Sequence, residues 1–546
     1  MLIGVIGRRA RLSTPSYTLT RSLSSLASSK IFHSPYKPIE TPKASLFPFL
    51  REKGNWSEVA DKVAVRCSTN SFAPITYKEL DGRIIAAAHK LRSMGFKQGD
   101  VLNIHLHNCQ QYIVSFLATA ALGGTATTSN PVYVAKELAT QQINSGAKFV
   151  VSSKSYEATV TKAAKESGLS DSVYWVEDDG CFANALPDPN LPMIEPDRPI
   201  DIHEDLVTLP YSSGTTGVPK GVMLTHSNMT SNILQTDGCS QVVKDDVLIG
   251  VLPLYHIYGM TVLMCYALAR QSELVLLSKF EPPTFLDAMS KFKVTVGFLV
   301  PPIILFLAKH PIVKEYNLSS LKWIMSGAAP LDAATQKGLS EELNVPISQG
   351  WGMTELAPIG CVGDHFTPVW GSAGVLAPST EGAVIDPSTG EGLPPMKEGE
   401  LLIRGPQVMK GYLNRPEATA ETIRDDGFLR TGDLAYYDEA GNIFLVDRLK
   451  ELIKVKGFQV APAEVEGRLL ELPQVADAAV IGVNDERSGQ VPKAFVVLKE
   501  GESLTSAQAV DALRETLSEF KLPGEVVFVE AIPKSPSGKI LRRMLS

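Results

Sequence analysis

The first residues whose types imply chemistry are Ser212-Ser213-Gly214-Thr215-Thr216-Gly217-Val218-Pro219-Lys220-Gly221. Glycines permit tight turns, so backbone N–H groups can converge on an anion. The hydroxyls of Ser212, Ser213, Thr215 and Thr216 add donors, and Lys220 adds a positive charge; together they suit a polyphosphate. The run is not a Walker A loop, because the glycine and Ser/Thr that flank the lysine in G-K-[ST] are missing. Apolar runs at 206–211 and 222–224 on either side argue against a merely flexible surface loop.

Other motifs follow. Gln349-Gly350-Trp351-Gly352-Met353-Thr354-Glu355 offers an aromatic able to lie on an adenine face and a Thr354 hydroxyl for phosphate. Glu355 offers an oxygen to Mg²⁺, a hard cation that prefers such ligands. Thr431-Gly432-Asp433 sets one carboxylate after a turn, a common contact for ribose hydroxyls. From Arg448 to Gln459 apolar and basic residues alternate at 452–456, the pattern of a half-buried strand whose polar face carries Lys454 and Lys456. The chain closes with Pro533-Lys534-Ser535-Pro536-Ser537-Gly538-Lys539-Ile540, a lysine in a Pro/Ser/Gly loop, then Arg542-Arg543, a charge run of no evident role.

These side chains need a scaffold. Apolar runs at 206–211, 248–253, 273–278, 294–299 and 323–326 read as strands. Helical patterns at 257–269, 284–291, after Pro301-Pro302 and at 331–343 alternate with them. Such alternation predicts an α/β fold with a parallel sheet and helices packed on it. Ligands then sit beyond the carboxyl ends of the strands, where the motifs fall. After 370 the texture turns to Gly, Pro and short strands such as 400–404 and 443–446. A compact strand–helix–strand rhythm at 461–470, 475–483, 494–498 and 507–520 marks a small second domain, with its boundary near Lys450.

Composition sets the outer limits. A chain of 546 residues exceeds a usual single domain. At 44% hydrophobic and 20% charged it reads as an ordinary globular protein rather than a disordered or fibrous one. A net charge of −7, with no basic patch interleaved with aromatics, gives no reason to bind nucleic acid. The six cysteines form no C-x-x-C pair, so they read as reduced and buried. Residues 249–269 lack Asp, Glu, Lys and Arg and could cross a bilayer, but Pro253, His256 and Gly259 interrupt them. A buried strand–loop–helix is expected there, and no transmembrane span. Residues 1–39 hold six basic residues and no acidic one, with Leu19, Leu23 and Leu26 at helical spacing. That is the composition of a transit peptide, so a mitochondrial location is expected, with plastid or cytosol as alternatives. The tail, Arg543-Met544-Leu545-Ser546, is not a peroxisomal Ser-Lys-Leu address.

Residues 211–226 resemble the signature of the adenylate-forming superfamily, which includes acyl-CoA synthetases, 4-coumarate–CoA ligases, luciferases and peptide-synthetase adenylation domains. The remaining motifs recur in that family's order. Ser326-Gly327-Ala328-Ala329-Pro330-Leu331 and residues 448–464 resemble the 4-coumarate–CoA ligase branch most. With 1–39 set apart by composition, the resemblance implies a large AMP-binding domain at 40–449, with parallel sheets flanked by helices and a β-rich subdomain. A small mobile α+β domain at 450–546 would turn about a hinge at Lys450.

The resemblance also implies ATP, coenzyme A and a small carboxylic acid as substrates, with Mg²⁺. It places Ser212, Ser213, Gly214, Thr215, Thr216 and Lys220 at the phosphates, and Gln349, Gly350, Trp351 and Thr354 at the nucleotide. Glu355 would hold the metal, Asp433 and Arg448 the ribose. Lys539 would catalyse adenylation, and Lys454 with Gln459 thioester formation. Lys279, Lys456 and Gly457 would contact coenzyme A. His256, Tyr258, Met325, Ala328, Gly350 and Pro358 match the acyl pocket. Three positions depart from the pattern: Val262 replaces a small polar residue, Val362 a methionine and Trp351 a tyrosine. A less polar acid, either unhydroxylated aromatic or medium-chain fatty, therefore fits as well as 4-coumarate. A stand-alone adenylating enzyme that loads a carrier protein is the further alternative.

Overall fold

The computed structural model describes residues 30–40, 42–68, 73–212, 219–329, 331–455, 458–485, 487–514, 516–535 and 538–545, with the Gln459 side chain left aside. A nine-stranded sheet holds six parallel strands in the order Ile347–Gly352, Trp323–Ser326, Val296–Leu299, Val247–Gly250, Glu273–Leu276 and Val63–Cys67. Antiparallel Ile359–Val362 and Val375–Leu376 extend one edge. An eight-stranded sheet has parallel Leu206–Thr208, Thr125–Thr128, Val101–His105, Ala147–Ser152 and Val173–Trp175. The α/β expectation therefore holds, with two such sheets in place of one.

Helix Gln110–Ala121 is buried at every residue and packs against strands of both sheets. A mainly apolar helix with no charged residue belongs in a core, and here it fills the space between two layers. A five-stranded antiparallel sheet, Phe32–His33, Glu381–Ile385, Gly399–Arg404, Leu429–Tyr437 and Ile443–Arg448, forms the β-rich part. The C-terminal domain has its own sheet, including Ile453–Val455, Val475–Asp485 and Gly489–Leu498, and its own apolar core. Between Arg448 and Ile453 the chain passes from one sheet to the other through the turn that holds Lys450.

Three expectations are corrected. The run 206–211 divides into Leu206–Thr208 and Tyr211–Ser212, because Pro210 has no N–H to give a ladder. The helix expected at 257–269 begins as a π-helix, Tyr258–Cys265, before the α-helical Tyr266–Ala269. Gly259 lies so tightly on the Pro253 carbonyl that a Cβ there would stand 2.2 Å from its oxygen. The apolar segment is buried in this core, and no helix among the described residues is long and apolar enough to cross a membrane.

The third correction concerns the boundary at 39. Phe32 and His33 pair with Gly382 and Glu381, Phe32 stacks on Tyr437 at 4.2 Å, and the Ile39 N–H donates to Ser379 Oγ at 3.0 Å. Phe32 and His33 thus form the edge strand of the antiparallel sheet and Ile39 is bonded to the same body, so the boundary expected at 39 does not separate residues 32–39 from the folded domain. Residues 1–29 lie outside the described residues. All six cysteines are buried and free of disulfides.

Candidate active site

Ser212 and Lys220 face each other across the antiparallel pair Tyr211–Ser212 and Lys220–Thr225, the stem of the phosphate-loop motif. Ser213, Gly214, Thr215 and Thr216 lie outside the described residues. The stem meets a buried carboxylate: Glu355 Oε1 accepts Ser212 Oγ–H at 3.1 Å and Tyr412 O–H at 2.8 Å. Lys220 Nζ stands 4.7 Å from the centroid of the Tyr412 ring. Tyr412 arrives because Gly411–Tyr412 pairs with Met223 and Val222. Sequence reasoning missed it; a lone Gly-Tyr carries no signal until the strands pair.

Asp433 and Arg448 lie directly opposite in the ladder of Leu429–Tyr437 and Ile443–Arg448. Arg448 Nε stands 2.5 Å from Asp433 Oδ1, and Trp351 Nε1–H donates to Oδ2 at 2.9 Å. Gly432, at φ +70°, turns the strand, and its carbonyl accepts the Leu449 N–H. Burial raises the Asp433 pKa, while Arg448, the indole N–H and Lys539 act against it. Trp351 thus holds the aspartate as well as packing against Gly360, where a Cβ would lie 2.5 Å from the ring.

Lys539 sits on a hairpin of the C-terminal domain closed by Ser535 N–H to Lys539 O at 2.8 Å. Gly538, at φ +81°, brings the hairpin tip onto the large domain; a Cβ there would lie 3.4 Å from Pro302 Cδ. Desolvation in this cleft and the charge of Arg448 lower the Lys539 pKa, while Glu451 and Asp433 act to raise it. The same ammonium helps burial push the His256 pKa down to about 4. Lys539, Asp433, Arg448 and His256 therefore share one electrostatic neighbourhood.

His256 is placed by a laced segment. Asn108 Nδ2 donates to the Gly250 and Leu252 carbonyls at 3.0 and 2.9 Å, and its Oδ1 accepts the Leu254 N–H at 2.8 Å. Tyr112 O–H and Thr128 Oγ–H donate to the Leu254 and Tyr255 carbonyls, both at 2.8 Å. His256 Nδ1 accepts the Tyr258 N–H at 3.3 Å, which assigns the ring proton to Nε2.

Beyond it, a Cβ on Gly327 would lie 2.8–3.0 Å from the Tyr258 ring, and one on Gly350 would lie 3.1 Å from Met325 Sδ. Gly350 pairs with Val362. Met325, Pro358, Val262 and Val362 are buried. Ala328 is exposed at φ +70°, a left-handed conformation that disfavours a side chain.

Other expected site residues stand elsewhere. The Gln349 amide spends both ends locally: Nε2 donates to the Leu331 carbonyl and Gln336 Oε1 at 2.8 and 2.9 Å, and Oε1 accepts the Leu331 N–H at 2.7 Å. Its side chain fixes the loop after Ala328. Thr354 opens a short 3₁₀ turn beside Glu355. Lys454 is exposed on strand Ile453–Val455, directly opposite Gln459. Lys456 and Gly457, between them, lie outside the described residues. Lys279 is exposed and paired with Glu281 at 2.6 Å. Lys450 is exposed in its turn. Lys539 and Lys454 thus lie on different elements of the C-terminal domain, both exposed, and Lys539 is the one whose charge acts on Asp433 and His256.

Two mostly parallel sheets, an antiparallel sheet and a small domain that sets a lysine hairpin against them define an adenylate-forming enzyme. Residues 54–413 match the family described as AMP-binding enzyme, and residues 464–539 its C-terminal domain. A 4-coumarate–CoA ligase of Solanum tuberosum is 40% identical over 489 residues, covering 86% of this chain and 88% of that protein. One from Petroselinum crispum is 38% identical over 532 residues, covering 94% and 96%. The ATP-bound crystal structure of MatB from Rhodopseudomonas palustris is similar with a TM-score of 0.83 at 31% identity, covering 91% of this chain and 98% of that one. The chain belongs to the AMP-binding enzyme family, as an acid–thiol ligase of the acyl-CoA synthetase type.

Proposed function

We propose that the chain activates an aromatic acid of the hydroxycinnamate type: acid and ATP give acyl-AMP and pyrophosphate, then acyl-AMP and coenzyme A give acyl-CoA and AMP. The observation that carries the substrate class is the acyl wall itself. Gly327 and Gly350 let the Tyr258 ring and Met325 lie close against the backbone, an aromatic and thioether lining suited to a planar ring. The 4-coumarate–CoA ligases among the relatives support the same class. Buried Val262 and Val362 favour an acid with few ring hydroxyls, and they are the feature that keeps a medium-chain fatty acid as the second reading.

In the first half-reaction a carboxylate, ionised at neutral pH, attacks the α-phosphorus, so no general base is needed. The obstacle is charge. Lys220, the loop amides and Lys539 offset it, and Mg²⁺ carried in with ATP would take one oxygen from Glu355. Asp433 accepts the ribose hydroxyls. In the second half-reaction the coenzyme A thiol attacks the acyl carbonyl and AMP leaves. Holding both reactants in one cleft removes much of the entropic barrier. Lys454 and Gln459 serve this step once the C-terminal domain has turned about Lys450. Lys279, Lys456 and Gly457 would contact coenzyme A. The basic N-terminal stretch supports mitochondrial import, ending before residue 32.

The experiment is the purified protein with ATP, Mg²⁺ and coenzyme A against cinnamate, 4-coumarate, caffeate and C6–C12 fatty acids. Cinnamate or 4-coumarate is expected to give the highest kcat/KM. A higher value for a fatty acid would replace the proposed class. AMP release that ignores coenzyme A would point to a carrier-loading enzyme.

A further inference from the structure

Arg542-Arg543 has so far no part in the chemistry. The hairpin that carries Lys539 is closed at its base by Leu541 N–H to Pro533 O at 2.8 Å, and each arm ends on an ion pair. On one side Lys534 Nζ stands 2.6 Å from Asp477 Oδ2. On the other Arg542 reaches Glu466, with Nη2 at 2.9 Å from Oε1 and 3.1 Å from Oε2, while its Nε stands 3.2 Å from Glu451 Oε2.

Glu466 lies on helix Pro462–Leu470 and also accepts the Val480 N–H at 2.7 Å. Glu451 is the residue after Lys450, and its N–H donates to the Arg448 carbonyl at 2.9 Å. Asp447, from the large domain's last strand, accepts the Ala463 N–H at 2.8 Å at the start of the same helix. Three carboxylates, Asp447, Glu451 and Glu466, thus gather where the chain passes between domains, and the Arg542 guanidinium stands among them with little exposure.

We propose that Arg542 is a positioning residue for Lys539: it ties the base of the lysine hairpin to the hinge turn, so that hinge and lysine move as one body. The inference rests on the reading of Lys539 as the adenylation lysine. Without Arg542 the three carboxylates repel one another, since removing one partner of a largely buried pair leaves uncompensated charge. The hairpin keeps its own hydrogen bonds and the Lys534–Asp477 pair, so it pivots rather than unravels. The lysine then misses the cleft beside Asp433, which costs rate through misplacement rather than lost chemistry. Lys454, on a different strand, is not carried by this hairpin.

The test measures both half-reactions on Arg542→Ala and Lys539→Ala. For Arg542→Ala, acid-dependent ATP–pyrophosphate exchange is expected to fall roughly tenfold or more, while coenzyme A capture of presynthesised acyl-adenylate stays within about twofold. If Lys539→Ala keeps full exchange, the reading of Lys539 is wrong. If Lys539→Ala loses exchange and Arg542→Ala keeps it, the positioning inference is overturned and the reading of Lys539 stands. Should Arg542→Ala lose both half-reactions, Arg542→Lys decides, because it keeps the charge and loses the fork. A drop in exchange alone supports the inference, and equal drops in both, or none, overturn it.

Discussion

Asp433 and Arg448, fifteen residues apart in the chain, meet at 2.5 Å across adjacent strands, and the Trp351 indole closes the other side of the carboxylate at 2.9 Å. A buried carboxylate that a guanidinium and an indole hold still is preorganised to accept ribose hydroxyls through its remaining lone pairs. Asp433→Asn keeps the shape and removes the charge. Charge-assisted hydrogen bonds contribute about 1.5–3 kcal/mol, so the KM for ATP is expected to rise roughly ten- to hundredfold. Trp351→Phe, which removes only the indole N–H, should cost severalfold. Both are read from ATP titrations of pyrophosphate exchange; an unchanged KM in Asp433→Asn would reduce the pair to a structural one.

Lys539 stands near Asp433 and Arg448 while Lys454 lies on another strand, both lysines exposed, and that separation predicts opposite defects. Lys539→Ala should lose ATP–pyrophosphate exchange by roughly a hundredfold or more and largely keep coenzyme A capture of preformed adenylate. Lys454→Ala should do the reverse. Equal loss of both half-reactions in either variant would remove the two-state account of the C-terminal domain.

The α/β class, the strand–helix alternation and the passage at Lys450 were legible because each depends on local periodicity and turn chemistry. Asp433 and Arg448 were legible because their motifs are local and their pairing follows from one ladder. The Glu355–Tyr412–Lys220 cluster was not, since Tyr412 reaches it only through antiparallel pairing with a strand far earlier in the chain. Asn108 and Tyr112, which lace the segment leading to His256, were invisible for the same reason. Gln349 adds a second kind of invisibility: its motif position is local, but the bonds of its amide to Leu331 and Gln336 depend on how the loop folds back. Residues 32–39 read as transit sequence by composition, yet edge pairing and the Phe32–Tyr437 stack claim them.

Four imidazoles, three buried and His256 half-buried, predict how the protein responds to acid. Burial pushes the pKa values of His105, His226, His256 and His365 down to about 4. His226 shows the reason: its Nδ1 accepts the Leu46 N–H at 3.0 Å, and protonation there would end that bond inside the core. A base with a depressed folded pKa contributes stability that is full above its ordinary value of 6.5 and is lost as pH falls toward 4. Each imidazole contributes a slope of about 1.4 kcal/mol per pH unit across that window. Glu466, pushed up to about 7, and the raised Asp433 and Asp447 act in the opposite sense, but the four imidazoles together with His107, which burial also lowers, outnumber them. Denaturant midpoints are therefore expected to fall steadily from pH 7 to pH 4.5. His226→Gln, a neutral amide able to accept the Leu46 N–H, should make that decline shallower by about one proton. An unchanged slope would mean that His226 does not titrate in this window.

The acyl wall predicts a selective effect at Gly350. A Cβ there would stand 3.1 Å from Met325 Sδ and 3.5 Å from the Cys361 carbonyl. The thioether is flexible and can give by a few tenths of an ångström, so Gly350→Ala should fold, with a stability loss of about 1 kcal/mol. Met325 would then shift within the lining proposed to receive the acid. The KM for cinnamate or 4-coumarate should therefore rise roughly tenfold while the KM for ATP changes little. Gly327→Ala, whose Cβ would meet the Tyr258 ring at 2.8 Å, should cost more in both stability and acid binding. Measuring both KM values on both variants separates an acyl wall from a nucleotide wall. If ATP affinity falls as much as acid affinity, Gly350 borders the adenylate as a whole, and this lining is not what selects the acid.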